Sequence, residues 1–463
     1  HILHVLALVA HVVIHEGESI DGDMKKVTAI VIGAGNRGNN YAIYSKECPD
    51  FEIIGVAEPR ERPRNLFKKF YEIPDDMVFK DWREAIKLKK CSDVAIITMQ
   101  DRLHKEAAVA FANQKYNLLL EKPMGVSASE CEEIVSACKE NDVILAVCHV
   151  LRYAPQARKI KELIASGVIG DVMNIQHIEP VGYWHYAHSY VRGNWRNEAL
   201  SSSSLLAKSC HDIDLINYWM SHTYVDKVTS FGSLSHFKKE NKPEGAGSRC
   251  VDCSIEDKCP YSAKALYLER AKQGNLGWPV SVVTEGYENV ESTKDLEDIV
   301  KDVQQKLETG PYGRCVYDCD NDVMSQQVVN LQFKEGQTCS FTMVACTQKI
   351  CVRSTKIFGS MGQLTCDFDG PVYHFDFNTK ITTPLYAEEY LPSGSKMTGH
   401  DGADYHLIKA FVEAIQTGDR SKILSGPDET LSSHLLVFAA ELARKENRVV
   451  NLDQNGRPIS NVH

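Results

Sequence analysis

The stretch Val27-Thr28-Ala29-Ile30-Val31-Ile32-Gly33-Ala34-Gly35-Asn36-Arg37-Gly38 decides how the chain reads. Its first six residues are continuously apolar, as a parallel strand buried on both faces should be. The G-x-G-x-x-G that follows is weak alone, but a buried strand before it and a helix after it are the context a dinucleotide fold demands. Each glycine then has a task. Gly33 makes the tight turn, Gly35 lets backbone approach a pyrophosphate, and Gly38 lets helix and strand pack closely. Asn36 and Arg37 open the helix, whose N-terminal N–H groups suit phosphates. Glu58, twenty residues past Gly38, sits where a carboxylate binds the adenosine ribose 2′-hydroxyl. It would repel a 2′-phosphate, which favours NAD, while nearby Arg60 keeps NADP open. The alternative is a glycine-rich turn followed by a surface glutamate.

Working outward, Phe51–Ala57, Val94–Thr98, Asn117–Leu120 and Val143–Val147 repeat the apolar pattern. Helical stretches lie between them, at about Arg37–Glu47, Pro63–Phe70, Asp81–Lys87, Leu103–Asn113 and Ser127–Asn141. Strands alternating with helices imply an open parallel sheet with right-handed crossovers. Residues 24–148 therefore read as one doubly wound, Rossmann-type α/β domain. After Cys148 the rhythm changes. Val329, Leu331 and Phe333 alternate with Asn330 and Gln332, and Cys339, Phe341, Met343 and Ala345 share one face. Such alternation marks antiparallel strands with one buried face. Residues 149–463 read as an α+β domain on a mostly antiparallel open sheet, with helices at Lys159–Ser166, Ser209–Ser221, Asp404–Gln416 and Glu429–Glu446. The stretch from about 237 to 322 is irregular, polar and cysteine-bearing, and reads as an insertion with little core of its own.

Length and composition set the frame. At 463 residues, with 43% hydrophobic and 25% charged residues, the chain is an ordinary globular protein of two or three domains. A net charge of -10 with no basic stripe argues against nucleic acid and anionic membrane. The apolar run Leu3–Ile14 is interrupted by His4 and His11 and is too short to span a bilayer. Met24 immediately precedes the first convincing strand, so residues 1–23 read as an extension or expression remnant. Of the 15 cysteines, Cys131, Cys138, Cys148, Cys210 and Cys346 sit in apolar surroundings like reduced core thiols, which points to a cytoplasmic home. Cys250-x2-Cys253-x5-Cys259, with Cys315 and Cys319 beyond, has metal-ligand spacing. Structural zinc on Cys250, Cys253, Cys259 and Cys315, free thiols, and disulfides or an iron–sulfur cluster all stay open there.

Glu121-Lys122-Pro123 follows the fifth strand, and Thr98, Gln100 and His104 follow the fourth, at the carboxyl ends where open α/β sheets bind ligands. With these residues the chain resembles the Gfo/Idh/MocA family of sugar and polyol oxidoreductases over about residues 26–460. The resemblance implies that the motif's lysine, here Lys122, sits between nicotinamide and a substrate hydroxyl and relays its proton, with Glu121, Thr98, Gln100 and His104 around the cofactor. It implies that His211, in Ala207-Lys208-Ser209-Cys210-His211-Asp212-Ile213-Asp214, matches a family histidine facing the reacting hydroxyl. Ala207 stands where that family carries an aspartate, and Lys208 beside it offers a second cation that would favour an anionic sugar. Arg152 and Tyr153 resemble a position near the nicotinamide–substrate junction.

His188, Trp195 and Arg196 belong to an aromatic and basic segment suited to a sugar pocket wall, or else to an ordinary aromatic core. His400 and Asp404 either reach the same cleft or cap the following helix. Three functions are open. One is hydride transfer to or from a sugar, inositol or sugar acid. A second is glycoside cleavage by transient oxidation and elimination, and a third is nucleotide binding without catalysis. Relatives by resemblance pair through the open sheet face, which implies a homodimer or homotetramer.

Overall fold

The computed structural model describes residues 25–285, 296–387 and 391–459. The reading of residues 1–23 lies outside these. Six strands, β1 (Val27–Ile32), β2 (Phe51–Ala57), β3 (Val78–Phe79), β4 (Val94–Ile97), β5 (Asn117–Leu120) and β6 (Leu145–Val147), form a parallel sheet in the order β3-β2-β1-β4-β5-β6. Helices α1 (Asn36–Ala42), α2 (Glu61–Tyr71), α3 (Trp82–Ile86), α4 (His104–Asn113) and α5 (Ala128–Glu140) make its crossovers. The apolar strand text has a direct cause. Ala29, Val31, Val94 and Ile96 feed the core on one face, while Ile30, Ile32, Ala95 and Ile97 feed the core on the other. A strand whose two faces are both covered has no position left for a polar side chain.

The second sheet has nine strands: β7 (Val172–Pro180), β8 (Val225–Ser233), β9 (Gln326–Phe333), β10 (Thr338–Val344), β11 (Ser354–Gly359), β12 (Gly362–Asp367), β13 (Val372–Asp376), β14 (Thr382–Leu385) and β15 (Val450–Asn451). Their order is β14-β13-β12-β11-β7-β10-β9-β8-β15. Only the β7–β10 pair is parallel, so the expectation of a mostly antiparallel sheet holds. The period-2 pattern is realised: Cys339, Phe341 and Met343 of β10 are buried, and Thr338 is exposed. The helix Pro427–Glu446 packs on β8, on the helix Cys210–Trp219 and on α5, tying the two sheets together.

Two expectations need correcting. The segment between β8 and β9 does have a core of its own, built from Leu266, Tyr267, Ala271, Val280, Val283, Val303 and Leu307. Its helix Leu296–Thr309 buries Ile299, Val303 and Leu307, one face of a 3.6-residue period. Short apolar stretches diluted by charged residues hid that face from the sequence. Cys346 is exposed rather than a core thiol, because it lies in the bend just past the end of β10; Cys131, Cys138, Cys148 and Cys210 are buried.

Candidate active site

The loops after β1, β4 and β5 meet above the carboxyl edge of the parallel sheet, where the strand order reverses between β1 and β4. Gly33 has φ +103°, and a Cβ there would lie 2.8 Å from the Thr98 carbonyl oxygen. A Cβ on Gly38 would lie 2.1 Å from the Gly33 carbonyl oxygen, so helix and turn touch through the absent side chain. Gly35 differs: nothing but the Arg60 guanidinium tip, at 3.7 Å, comes within reach of a Cβ there. A bare backbone turn facing open space fits a dinucleotide pyrophosphate. Thr98 Oγ1 donates to the Gly33 carbonyl at 2.7 Å and fixes the turn. Asn36 lies in the first turn of α1, and Gln100 is exposed at the end of β4.

Glu58 is buried at the end of β2, where it accepts from Ala34 N (2.9 Å), Arg60 N (3.0 Å) and Arg60 Nε (2.8 Å). The carboxylate thus already carries a guanidinium partner, which itself lies over Gly35.

Arg37 and Glu121 are committed to the protein itself. Arg37 Nε donates to Glu121 Oε1 at 2.6 Å, and its Nη1 and Nη2 donate to Asp404 at 2.9 and 3.0 Å. Tyr41 OH donates to Glu121 Oε1, and Lys122 N to Glu121 Oε2 at 2.7 Å. Asp404 is not a helix cap: it lies inside the helix Ala403–Thr417, whose first turn follows Gly402. Burial opposes its charge, but Arg37 and then His400, whose Nδ1 is 3.0 Å away, hold its pKa well below the usual range. Losing one partner of such a buried pair costs about 3–5 kcal/mol. His104 is a strut as well, its ring nitrogens bonded to the carbonyls of Pro123 (2.7 Å) and Met99 (3.0 Å).

Lys122 reaches across to the second half of the molecule, where its Nζ donates to the Ala207 carbonyl at 2.6 Å. One helical turn on, His211 is 3% exposed, and its Nδ1 is buried without a hydrogen-bond partner. Burial, then the positive charge of Lys122, pushes the His211 pKa well below its ordinary value, so the ring is neutral. His400 lies 5.7 Å from His211, ring to ring, and thus does reach this cleft.

Lys208 Nζ lies 3.2 Å from Glu179 Oε1 and 3.0 Å from Cys351 Sγ. Burial disfavours its charge, yet Cys351 and Glu179 outweigh that, and its pKa rises. Arg353 Nε in turn faces Glu179 (2.8 Å) and Asp212 (3.0 Å). Two cations answer two carboxylates here, so Lys208 is itself paired within the protein. No sequence pattern foretold this set, because Glu179, Asp212 and the Cys351–Arg353 pair come from three segments that only the fold brings together.

The remaining expected pocket residues have other partners. Arg152 grips Asp214 with two bonds of 2.7 Å and donates to Leu424 O, and Tyr153 OH accepts from Leu424 N. His188 bonds Tyr267 OH at 2.8 Å and stacks on Tyr312. Trp195 Nε1 donates to Asp101, and Arg196 Nε to Asp320. These side chains brace the scaffold around the cleft. The zinc expectation gains no support. Among the described residues no three His, Cys, Asp or Glu side chains converge closely enough to hold one ion, Cys250, Cys253, Cys259 and Cys315 included.

A glycine turn on a parallel sheet, a lysine at the end of β5 and a second sheet that closes the cleft define a dinucleotide-binding oxidoreductase. Residues 27–149 match the family model of the oxidoreductase family's NAD-binding Rossmann fold, and residues 161–264 match that of its C-terminal α/β domain. The chain belongs to the Gfo/Idh/MocA oxidoreductase family. It is 24% identical over 395 residues to YteT of Bacillus subtilis, a protein named as an oxidoreductase, covering 82% of this chain and 86% of YteT. It is 25% identical over 221 residues to 2,7-anhydro-N-acetylneuraminate hydratase of Mediterraneibacter gnavus, 46% of this chain and 54% of that protein. Among solved structures, levoglucosan dehydrogenase, in complex with NADH and L-sorbose, shares the fold. Its TM-score is 0.66 at 14% identity, over 93% of this chain and all of the other. Among the described residues no helix is long and apolar enough to cross a membrane.

Proposed function

We propose that the protein is a dehydrogenase that moves a hydride between a nicotinamide dinucleotide and a hydroxyl-bearing ring carbon of a sugar, inositol or sugar acid. The observation that carries this reading is the meeting of Lys122 and His211. An ammonium with one hydrogen bond to a carbonyl and a neutral imidazole with an unpartnered nitrogen lie within electrostatic reach of each other. Such a pair can bind a hydroxyl, orient it, and take or return its proton. When bound, the nicotinamide supplies the hydride donor or acceptor, and the protein supplies position and electrostatics. Gly33, Gly35 and Gly38 cradle the pyrophosphate, with Asn36, Thr98 and Gln100 at its rim. Glu58 at the ribose favours NAD over NADP. Arg37, Glu121 and His104 serve by holding Lys122 in place rather than by touching substrate. Lys208, Cys351 and His400 line the substrate side. In this reading residues 24–148 are the dinucleotide-binding domain and residues 149–463 the substrate domain.

The unpaired state of all 15 cysteines supports a reducing, cytoplasmic setting. A row of outward side chains, Ile178, Thr342, Val328 and Phe231, crosses the second sheet in register, with Ile178 and Phe231 exposed. It supports pairing of two copies through that face.

The hydratase relative favours a second reading, in which oxidation is transient and elimination cleaves a bond with no net redox change. Incubation with NAD and a panel of cyclitols, sugar acids and glycosides separates the two. Accumulating NADH supports the dehydrogenase, and cleaved glycoside at constant NADH supports the second reading. Tight NAD binding with neither product leaves a non-catalytic nucleotide-binding protein and overturns both.

A further inference from the structure

The segment between β8 and β9 contains a feature the hydride-transfer reading does not use. Cys250, Cys253, Cys259 and Cys315 come from two stretches 56 residues apart, yet all four wall a single cavity of about 310 Å³. Cys250 and Cys315 are buried, Cys253 and Cys259 half-buried, and none is in a disulfide. The cavity has donors aimed at its sulfurs. Arg192 Nη2 donates to Cys250 Sγ, and Gly247 N to Cys253 Sγ, each at 3.4 Å.

The charge on this wall is unbalanced. Arg192 is 1% exposed, and its hydrogen bonds go to the carbonyls of Arg314 and Tyr261 and to Cys250 Sγ, none of them a carboxylate. Among the described residues its Nη1 is buried without a hydrogen-bond partner. Arg249, whose guanidinium donates to the carbonyls of Leu307 and Gly310, and exposed Lys258 border the same cavity, where the one lining acid, Glu256, is already paired with Lys264 at 2.8 Å. A buried guanidinium without a counter-charge is costly, so the cavity calls for an anionic occupant.

Geometry decides which occupant. A single tetrahedral ion would draw its sulfurs to about 2.3 Å from one point, and these thiols do not converge. In an iron–sulfur cubane each iron takes one protein thiolate, so four cysteines surround a volume instead of meeting in it. We propose that Cys250, Cys253, Cys259 and Cys315 bind a [4Fe–4S] cluster that staples this segment to the short helix Ala187–Arg192. Four thiolates with a cubane core make an anion, which gives Arg192 its missing partner.

The test is an iron, zinc and acid-labile sulfide assay on the full-length protein purified without oxygen, repeated after incubation with ferrous iron and sulfide. The expected result is about four iron and four sulfide per chain with broad visible absorbance. Cys253→Ser and Cys315→Ser should lose both, while Cys319→Ser and Cys346→Ser, outside the cavity wall, should keep them. Wild-type protein that takes up neither iron nor sulfide, or that carries one zinc per chain instead, overturns the proposal. So does loss of iron on Cys346→Ser but not on Cys315→Ser.

Discussion

Lys122 holds one hydrogen bond where an ammonium can make three, and His211 holds a buried nitrogen with none. Those open valences are where a substrate hydroxyl fits. Lys122→Ala should therefore lower turnover by at least about a hundredfold, the usual scale for a lost proton-transfer group. NADH affinity, measured by fluorescence titration, should stay within a few-fold, and a mutant with near wild-type turnover would remove Lys122 from its role. Glu58 is legible in the sequence as an acid at the end of β2, but its pairing with Arg60 is not. Freed of Glu58, the Arg60 guanidinium over Gly35 can meet a 2′-phosphate. Glu58→Ala should weaken NAD and strengthen NADP, and unchanged relative affinities would show that this acid does not set the preference.

Among the elements, the strand-turn-helix unit is readable because its glycine pattern lies within a dozen residues of one strand and one helix, although the turn is also pinned by Thr98 at the end of β4, which the pattern does not show. Their tasks can be separated by experiment. Gly38→Ala drives a Cβ to 2.1 Å from backbone, an overpacking that should cost about 1–3 kcal/mol in thermal or denaturant unfolding. Gly35→Ala meets no backbone and has φ -82°, so stability should hold while NADH binding falls at least tenfold. Equal losses of stability in both variants would contradict that division. The cleft's second half was less legible. His211 and Lys122 stood out by their motifs, whereas Glu179, Cys351 and Arg353 acquire meaning only once β7 and the loop before β11 lie side by side. The partners of Arg37 were hidden for a related reason: its guanidinium meets two carboxylates, Glu121 and Asp404, that only the fold sets within its reach.

For the molecule as a whole, buried neutral histidines couple stability to pH. Burial is the main cause that lowers the pKa of His149 to about 3, of His188 to about 3 and of His434 to about 4, and it pushes His211 down as well. Unfolded, each titrates near 6.5. Below that pH the unfolded chain binds protons that the folded chain does not, so stability is full above about 6.5 and falls as pH drops towards 4. Each histidine contributes a slope of up to about 1.4 kcal/mol per pH unit in that window. Denaturant unfolding at pH 7.5 and pH 5 checks this: a clear loss at pH 5 is expected, and equal stability would contradict it. The central claim is that a nicotinamide dinucleotide lies over the glycine turn with Lys122 beside its reactive ring. The most direct measurement is titration of cofactor-stripped wild-type, Gly35→Ala and Lys122→Ala proteins with NADH. The account predicts saturable binding at one site per chain for wild type and Lys122→Ala, and marked weakening for Gly35→Ala. No saturable uptake of NADH or NADPH by the wild type would contradict it.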